Sequence, residues 1–272
     1  MMWRTLTAIL SLAAAHGAAA LDLTGDQITL MLDADIVILG EIHDNAAHHA
    51  GQAELMQQIN PKAVVFEMLN REMAEGVNAS DRNDIAALGA EIGWQDAGWP
   101  DIALYAPVFE ALGTAQAVGA MADRTTVRAA FAEGAAAVFG NGADRFGLTE
   151  ALPAGELDLR MQLQFEAHCE AMPLNLMGGM VEAQRLRDAA FSKAALTALD
   201  TYGAPVVVIT GNGHARRDWA MPHMIALAAP DVSTYTVGFV EAPAAPDDPR
   251  FDLTIVTDPA PRQDPCAAFD NN

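Results

Sequence analysis

Six short runs of apolar residues recur along the chain, and stretches with helical periodicity separate them. The runs lack the alternation of a half-exposed strand, and the first and fourth are rich in β-branched residues, so they predict strands covered on both faces. Helical patterns such as 46–59 and 214–228 lie between the runs. This order predicts an α/β domain with a mostly parallel central sheet flanked by helices. The predicted strands span residues 36–39, 63–66, 115–120, 206–209, 235–240 and 253–256.

The region from about 123 to 176 interrupts this rhythm, because it is rich in alanine and contains no convincing strand pattern. Leu157, Met161 and Phe165 recur at four-residue steps, which is typical of an amphipathic helix. A second long helix is predicted from about 179 to 199. We therefore expect a smaller all-helical insertion over 123–176, within an α/β domain that is formed by 21–122 and 177–272.

The first twenty residues have the pattern of a secretory signal peptide. Arg4 supplies a positive region, residues 6–15 are mostly apolar, and the alanines at 18–20 fit a cleavage site. This pattern predicts a periplasmic or secreted protein. No cysteine lies near the cleavage site to carry a lipid anchor, and no later run of about eighteen apolar residues predicts a transmembrane segment. We therefore expect the mature chain to be soluble.

Composition and charge exclude several classes of protein. The chain of 272 residues is 51% hydrophobic and 19% charged, which is not the composition of a disordered protein. Its net charge of −21 repels phosphate backbones, so we expect no nucleic-acid partner. Two cysteines are too few for a disulfide-dense scaffold or a four-cysteine zinc ribbon. Export permits a disulfide between Cys169 and Cys266, but the sequence does not establish that they meet.

Acidic and histidine side chains follow three of the predicted strands, at the point where each strand ends. Glu41 and His43 follow the first strand and, two residues apart in extended backbone, point the same way. Glu67 comes directly after the second strand, and His214 follows the fourth within Gly211-Asn-Gly-His. Because open parallel sheets bind ligands outside the carboxyl ends of their strands, we expect these four side chains to surround one cleft.

The residues beside these four are predicted to support the cleft. Asp44 or Asn45 can cap the helix that follows the first strand, and His48 and His49 fall in its first turn. The helix dipole disfavours an imidazolium there, so we expect both rings to stay neutral and able to accept a metal or a proton. The same supporting role is assigned to two residues of the other segment, Asn212 and Arg216.

Three interpretations of this set remain open. His43, His214 and Glu67 could hold a divalent metal, while Glu41 or Glu67 activates a bound water in a hydrolase. The same residues could form an acid–base set without a metal, with His43 as the base of an esterase. They could also be a structural hydrogen-bond network. A serine-nucleophile elbow and a Cys-x-x-Cys-His motif for covalent haem are both absent from the sequence.

The two Gly-x-x-His segments at 40–43 and 211–214, with Glu67 between them, resemble the Tiki superfamily. That group embraces Tiki metalloproteases, erythromycin-esterase-like enzymes and ChaN-type haem-binding proteins. The longer string at 39–49 is similar to the ChaN branch, and the resemblance extends over nearly the whole mature chain. Three further segments support that branch: Trp99-Pro-Asp with Tyr105 and Pro107, the stretch 180–188, and Gly211-Asn-Gly-His-Ala-Arg216.

The resemblance implies non-covalent haem binding in an iron-uptake setting, and a homodimer that holds haem between its protomers. A tyrosine is the axial ligand that the family likeness suggests, and Tyr105 lies in a family-like segment. Tyr202 and Tyr235 are the other tyrosines of the chain. Four residues are assigned to haem, with the two arginines as partners of its propionates: Tyr105, His168, Arg185 and Arg187.

The chain departs from the family pattern in one respect. Many ChaN-type proteins are lipoproteins, whereas this sequence has no lipidation cysteine, so we expect no lipid anchor. An exported haem-binding protein of the ChaN type is accordingly the first functional hypothesis. A metal-dependent hydrolase that uses the strand-end acids and histidines is the alternative.

Overall fold

The computed structural model describes residues 21–267 and is built around one parallel β-sheet. The predicted signal peptide at 1–20 lies outside the described residues. All six predicted strands are confirmed, each to within two residues at either end. The strands are β1 (Ile36–Glu41), β2 (Ala63–Phe66), β3 (Gln116–Gly119), β4 (Val206–Gly211), β5 (Thr234–Glu241) and β6 (Leu253–Thr257).

The six strands lie in the order β3-β2-β4-β1-β5-β6, and every neighbouring pair runs parallel. β4 therefore lies between β2 and β1, with Val206 aligned with both Ala63 and Ile36. β1, β2 and nearly all of β4 are buried, as their uninterrupted apolar runs predict. The carboxyl ends of these three strands consequently lie side by side at one edge of the sheet.

Alternate residues of the central strands feed two cores, one on each face of the sheet. Val37 and Leu39 belong to one core, while Ile36 and Ile38 belong to the other with Phe191. Each of these side chains is no more than 1% exposed. Burying a side chain of this size stabilises a fold by roughly 1.5–3 kcal/mol, so the central strands anchor both layers of helices.

The helices that the sequence singled out are present in the described residues, with one difference. The helix predicted over 46–59 is confirmed at both ends. The pattern at 214–228 splits into two helices, because the backbone is extended at Arg216 and Pro222 lies in the first turn of the second. The helices are α1 (Gly25–Leu32), α2 (Ala46–Ile59), α3 (Arg71–Ala79), α4 (Ile85–Glu91), α5 (Trp94–Ala97), α6 (Ala106–Glu110), α7 (Arg124–Glu133), α8 (Ala135–Phe139), α9 (Ala154–Ala167), α10 (Met177–Tyr202), α11 (Asn212–Ala215) and α12 (Met221–Ala228).

The region 123–176 contains helices and turns and no strand, as predicted, while its boundaries as a separate unit stay a prediction. It packs on α10, where the 5%-exposed Arg185 donates to the carbonyl oxygens of Gly147 at 3.0 Å and Leu148 at 3.2 Å and pairs with Glu182. Arg185 therefore fastens this region to α10, and its expected role as a propionate partner is not supported. No helix among the described residues is both long and apolar enough to cross a membrane.

A disulfide joins Cys169, which follows α9, to Cys266 in the carboxyl-terminal tail. The Cα atoms of the two residues are 5.3 Å apart, within the usual range for a disulfide. The tail is irregular from residue 258 to 264, and Arg262 fixes it by pairing with Asp44 and Glu241. The sequence permitted this disulfide without establishing it, and the disulfide is present in the structure.

Candidate functional site

Glu41, His43, Glu67 and His214 lie together at the carboxyl edge of the sheet. Because β2, β4 and β1 are adjacent, their ends deliver side chains from distant parts of the chain to one place. Glu67 is the centre of the set: its Oε2 lies 3.9 Å from His43 Nε2, and its Oε1 lies 3.5 Å from His214 Nε2. The expected convergence of these four side chains is therefore present in the structure.

His43 is held by Glu41, a buried carboxylate with several donors. His43 Nδ1 lies 2.7 Å from Glu41 Oε1, and the Tyr105 hydroxyl donates to the same oxygen at 2.6 Å. Gln52 Nε2 donates to Glu41 Oε2 at 2.8 Å. Burial alone would raise the pKa of Glu41, but its bonds to His43 and His49 hold that pKa well below the ordinary value.

The protonated form of His43 is favoured by its surroundings. Burial alone would lower its pKa, but the hydrogen bond to Glu41 and the charge of Glu67 raise the pKa to about 9. His43 is therefore an imidazolium at neutral pH, with Nδ1 committed to Glu41 and Nε2 turned toward Glu67.

His214 is held in the same way by a residue of α10. Its Nδ1 lies 2.6 Å from Asp188 Oδ1, and Gln184 Nε2 lies 3.1 Å from the same nitrogen. Gln184 and Asp188 are four residues apart on α10, and both side chains turn to His214. Asp188 is fully buried, and that burial raises its pKa. Burial would lower the pKa of His214, yet the charges of Glu67 and Asp188 raise it.

Glu67 accepts hydrogen bonds from the end of β4. Thr210 Oγ1 donates to its Oε2 at 2.7 Å, and the Gly211 backbone N–H donates to the same oxygen at 2.8 Å. Burial would raise the pKa of Glu67, but the charges of His214 and His43 and these two donors lower it. The site thus consists of two histidines, each with a carboxylate behind it, that face one shared ionised carboxylate.

Two glycines allow this close arrangement. A Cβ on Gly40 would lie 2.9 Å from the Ala215 Cβ and would clash with the Asn212 side chain, so glycine lets α11 pack against β1. A Cβ on Gly211 would lie 3.1 Å from His43 Nε2. The glycines of both Gly-x-x-His segments therefore make room for the neighbouring segment.

The residues that follow His43 build the scaffold of the site. Asn45 caps α2 by accepting from the Ala47 N–H at 2.9 Å, and Asp44 pairs with Arg262 of the tail. His48 Nδ1 accepts from the Ile42 N–H at 2.9 Å, and burial lowers the pKa of this imidazole to about 4. The expected neutrality of His48 follows, although burial is its main cause.

His49 supports Tyr105 and Glu41. Its ring stacks on the ring of Tyr105 with centroids 3.9 Å apart, and its Nδ1 lies 3.0 Å from the Leu104 carbonyl oxygen. Its Nε2 lies 3.5 Å from Glu41 Oε2. Both predicted histidines of α2 are thus fully buried beneath the site.

Four other predicted residues have structural contacts. Tyr105 is completely buried, and its hydroxyl is committed to Glu41, which argues against it as an axial haem ligand. His168 Nδ1 lies 2.8 Å from the Gln164 carbonyl oxygen at the end of α9. Asn212 Nδ2 donates to the Phe239 carbonyl oxygen at 2.6 Å, and Arg216 pairs with Asp218 and stacks on Trp219.

A cavity of about 250 Å³ opens beside Glu67 and His214. Trp99 and Phe191 form apolar walls, and the ring of Trp99 lies 4.9 Å from that of His43. Arg187, one of the residues assigned to haem, also lines this cavity. Trp99 was not predicted to belong to the site, although it lies in one of the segments that resemble the ChaN branch.

The metal assignment is not supported by the arrangement of these side chains. Among residues 21–267, no group of three or more His, Cys, Asp or Glu is placed to hold a metal ion. In each histidine, Nδ1 already contacts a carboxylate, and Nε2 faces Glu67 across more than 3 Å.

Comparison with known families shows which family this chain belongs to. The model of the haem-binding uptake family ChaN, of the Tiki superfamily, matches residues 28–225. The chain belongs to this family. No curated protein matches it. Among solved structures, the ChaN protein of Campylobacter jejuni, described with cofacial haem, shares its fold with a TM-score of 0.57 and 16% identity, over 84% of this chain and 89% of that one.

Two other solved structures resemble this ChaN-family chain more weakly. The type III effector HopBA1 is 13% identical, with a TM-score of 0.44, over 85% of this chain and 91% of its own. A Bacillus cereus protein is 11% identical, with a TM-score of 0.43, over 80% of this chain and 67% of its own.

The ChaN family likeness implies a tyrosine as the haem ligand, and the three tyrosines of the chain differ in exposure. Tyr105 is 0% exposed and Tyr235 is 6% exposed, whereas Tyr202 at the end of α10 is 42% exposed. Tyr202 lines an open groove of about 590 Å³ between α3, β3 and α10. Lys193 lines it too, as does the ion pair of Arg71 with Glu75. The groove is otherwise lined mainly by small apolar residues, among them Ala74, Ala117, Val118, Ala120, Ala190, Ala194 and Ala198.

Proposed function

We propose that this protein binds haem non-covalently in the groove beside Tyr202 and takes part in haem uptake or handling. The observation that carries the proposal is the match to the haem-binding uptake family over residues 28–225. The groove supplies the elements that a haem site needs: an apolar surface, an oxygen ligand and a cation, Lys193.

The residues of the groove fit haem chemically. Bound haem would supply an iron that accepts an oxygen ligand, and Tyr202 is the accessible tyrosine among the three. Lys193 offers positive charge for a propionate, while Arg71 is paired with Glu75 at 3.0 Å. The alanine and valine side chains present apolar area, whose burial contributes roughly 25 cal/mol per Å². The cavity beside His214, at about 250 Å³, is smaller than the roughly 300–1,000 Å³ of most ligand pockets and fits haem less well.

A hemin titration with tyrosine variants tests the proposal. We expect the wild-type protein to shift the Soret band of hemin at a 1:1 ratio. Tyr202→Phe should remove the tyrosinate charge-transfer band and weaken binding, whereas the matched control Tyr235→Phe should bind as the wild type does. A wild-type spectrum identical to that of free hemin would remove haem binding. Equal spectra for Tyr202→Phe and the wild type would remove this ligand assignment alone.

Homodimerisation belongs to the same proposal. The groove is open along β3, an edge strand of the sheet, so one face of a bound haem would stay exposed in a single copy. A second copy that covers this face would bury it. We expect hemin to convert the protein from monomer to dimer in sedimentation-velocity experiments, and Tyr202→Phe to reduce that conversion. A monomer at saturating hemin would contradict the dimer.

Export is also part of the proposal. The disulfide between Cys169 and Cys266 supports it, because such bonds persist mainly in oxidising compartments. Residues 1–20 fused to a reporter that is active only outside the cytoplasm should give activity, and Leu6→Arg with Leu10→Arg in the apolar segment should abolish it. An inactive wild-type fusion would argue for a cytoplasmic protein.

A second candidate function is hydrolysis at the site around Glu67. Its specific support is that His43 and His214 each have a carboxylate at Nδ1 and turn Nε2 toward Glu67. In such a reaction Glu67 would take a proton from water as the hydroxide attacks a carbonyl carbon. The His43 imidazolium would then give its proton to the leaving oxygen as the carbon–oxygen bond breaks.

Activity against a panel of small esters tests this candidate. Glu67→Gln should lower kcat by about 10²–10⁴-fold, which is the typical contribution of a positioned acid or base. Adding Zn²⁺, Mg²⁺ or Mn²⁺ to chelator-treated protein separates the metal-dependent form from the metal-free form. Absence of turnover under every condition would leave the cluster as a structural network.

A further inference from the structure

Arg187 is a half-buried cation that has no partner within the described part of the chain. Residues 21–267 provide it with neither a hydrogen bond nor an ion pair, although the net charge of the protein is −21. Seven other arginines of this part of the chain pair with carboxylates, whereas Arg187 faces a cavity without such a partner. Its charge is close enough to lower the pKa of His214 against the carboxylates that raise it.

Arg124 brings a second guanidinium to the same cavity. It lies at the start of α7, is exposed, and donates to the Ala97 carbonyl oxygen at 3.2 Å. Its remaining N–H groups have no acceptor among residues 21–267. Arg124 and Arg187 come from different helices, yet both line the cavity beside Glu67 and His214.

We infer that this cavity binds a small ligand through a compact oxyanion, a carboxylate or a phosphate, with Arg187 as the main partner and Arg124 as the second. Guanidinium groups match both anions with paired hydrogen bonds. Trp99 and Phe191 supply apolar walls for the rest of a small ligand. The volume of about 250 Å³ accommodates a small ligand.

If the protein is a hydrolase, the anion site also defines its class of substrate. The substrate class rests on the proposed hydrolysis, whereas the anion site does not. The substrate would then be a small ester that carries a carboxylate or phosphate. Glu67 shares the cavity, and its negative charge opposes the anion. An anion in this place therefore gains affinity when Glu67 is neutralised, which a merely adventitious surface site would not show.

Calorimetry on the full chain with inorganic phosphate and with benzoate as separate probes tests the inference. We expect at least one probe to bind, Arg187→Gln to weaken binding at least tenfold, and Arg187→Lys to weaken it less. Glu67→Gln should strengthen binding several-fold. The control Arg128→Gln, an exposed arginine of α7 that does not line the cavity, should leave affinity unchanged. Imidazole ¹⁵N shifts of His214 should move on binding in the wild type.

Several results would overturn the inference of an oxyanion site. No binding of either probe to the wild type, or equal binding in Arg187→Gln, removes the oxyanion site. If the small anions fail and only hemin binding weakens in Arg187→Gln, the guanidinium serves a haem propionate and the small-ligand inference is wrong. Anion binding without turnover of any ester keeps the site and removes only the hydrolase.

Discussion

Stability should fall as pH rises through the pKa of His43. The pKa is raised from 6.5 to about 9 because Glu41 and Glu67 favour the imidazolium in the folded state. Raising the pKa of His43 from 6.5 to about 9 on folding corresponds to about 3 kcal/mol of folding free energy. Because the folded-state pKa is the higher one, this stabilisation is fully present below pH 6.5 and is lost as pH rises toward and past 9.

Urea unfolding of the wild type and His43→Gln between pH 6 and pH 9.5 measures this effect. The wild type should lose about 3 kcal/mol more than the variant over this interval, because the variant has no imidazole to titrate at that position. His223→Gln, an exposed histidine of α12, is the matched control and should follow the wild type. NMR titration of the His43 ring gives the pKa directly. A midpoint near 6.5, or parallel stability curves for the wild type and His43→Gln, would refute the proposed charge pairing.

Three further perturbations test other parts of the structure. Tyr105→Phe removes a donor from the buried Glu41 carboxylate and should lower the free energy of unfolding by roughly 1–3 kcal/mol in urea titrations; an unchanged value would show that water replaces the hydroxyl. Gly40→Ala overpacks the contact with α11 and should destabilise by roughly 1–3 kcal/mol; a neutral result would mean that α11 can move away. Cys169→Ser with Cys266→Ser opens a crosslink between residues 97 apart and should cost roughly 2–4 kcal/mol, measured by thermal unfolding against a reduced wild-type sample; equal stability of oxidised and reduced wild type would contradict it.

The sheet could be predicted well because its signals are local. Central parallel strands need uninterrupted apolar runs, and those runs are visible without any knowledge of the neighbours. The residues at the strand ends followed from topology, since parallel strands place their carboxyl ends at one edge. Glu41, Glu67 and His214 were found by this reasoning, together with His43, and they lie within a single site.

The buried partners of His214 and Glu41 could not be predicted by the same reasoning. Asp188 lies 26 positions before His214, and Gln52 lies eleven after Glu41, both on helices. The helical spacing of Asp188 and Gln184 is equally consistent with a pair in water. Only the packing of α10 against β4 decides that Asp188 is buried under His214. Burial depends on which helix face meets the sheet, and that is a property of the whole fold.

The two arginines of α10 show why the contacts of a helical residue could not be predicted from the sequence. Arg185 and Arg187 are two residues apart, so on a helix their side chains point roughly 200° away from each other. One must therefore turn toward a different neighbour from the other, although the sequence assigned both to haem propionates. In the fold, Arg185 faces the helical region and is held by carbonyl oxygens and by Glu182, while Arg187 faces the cavity beside His214. On α10 the guanidinium that faces the cavity is the one without a carboxylate partner among residues 21–267, so the proposed anion site rests on Arg187 and not on Arg185.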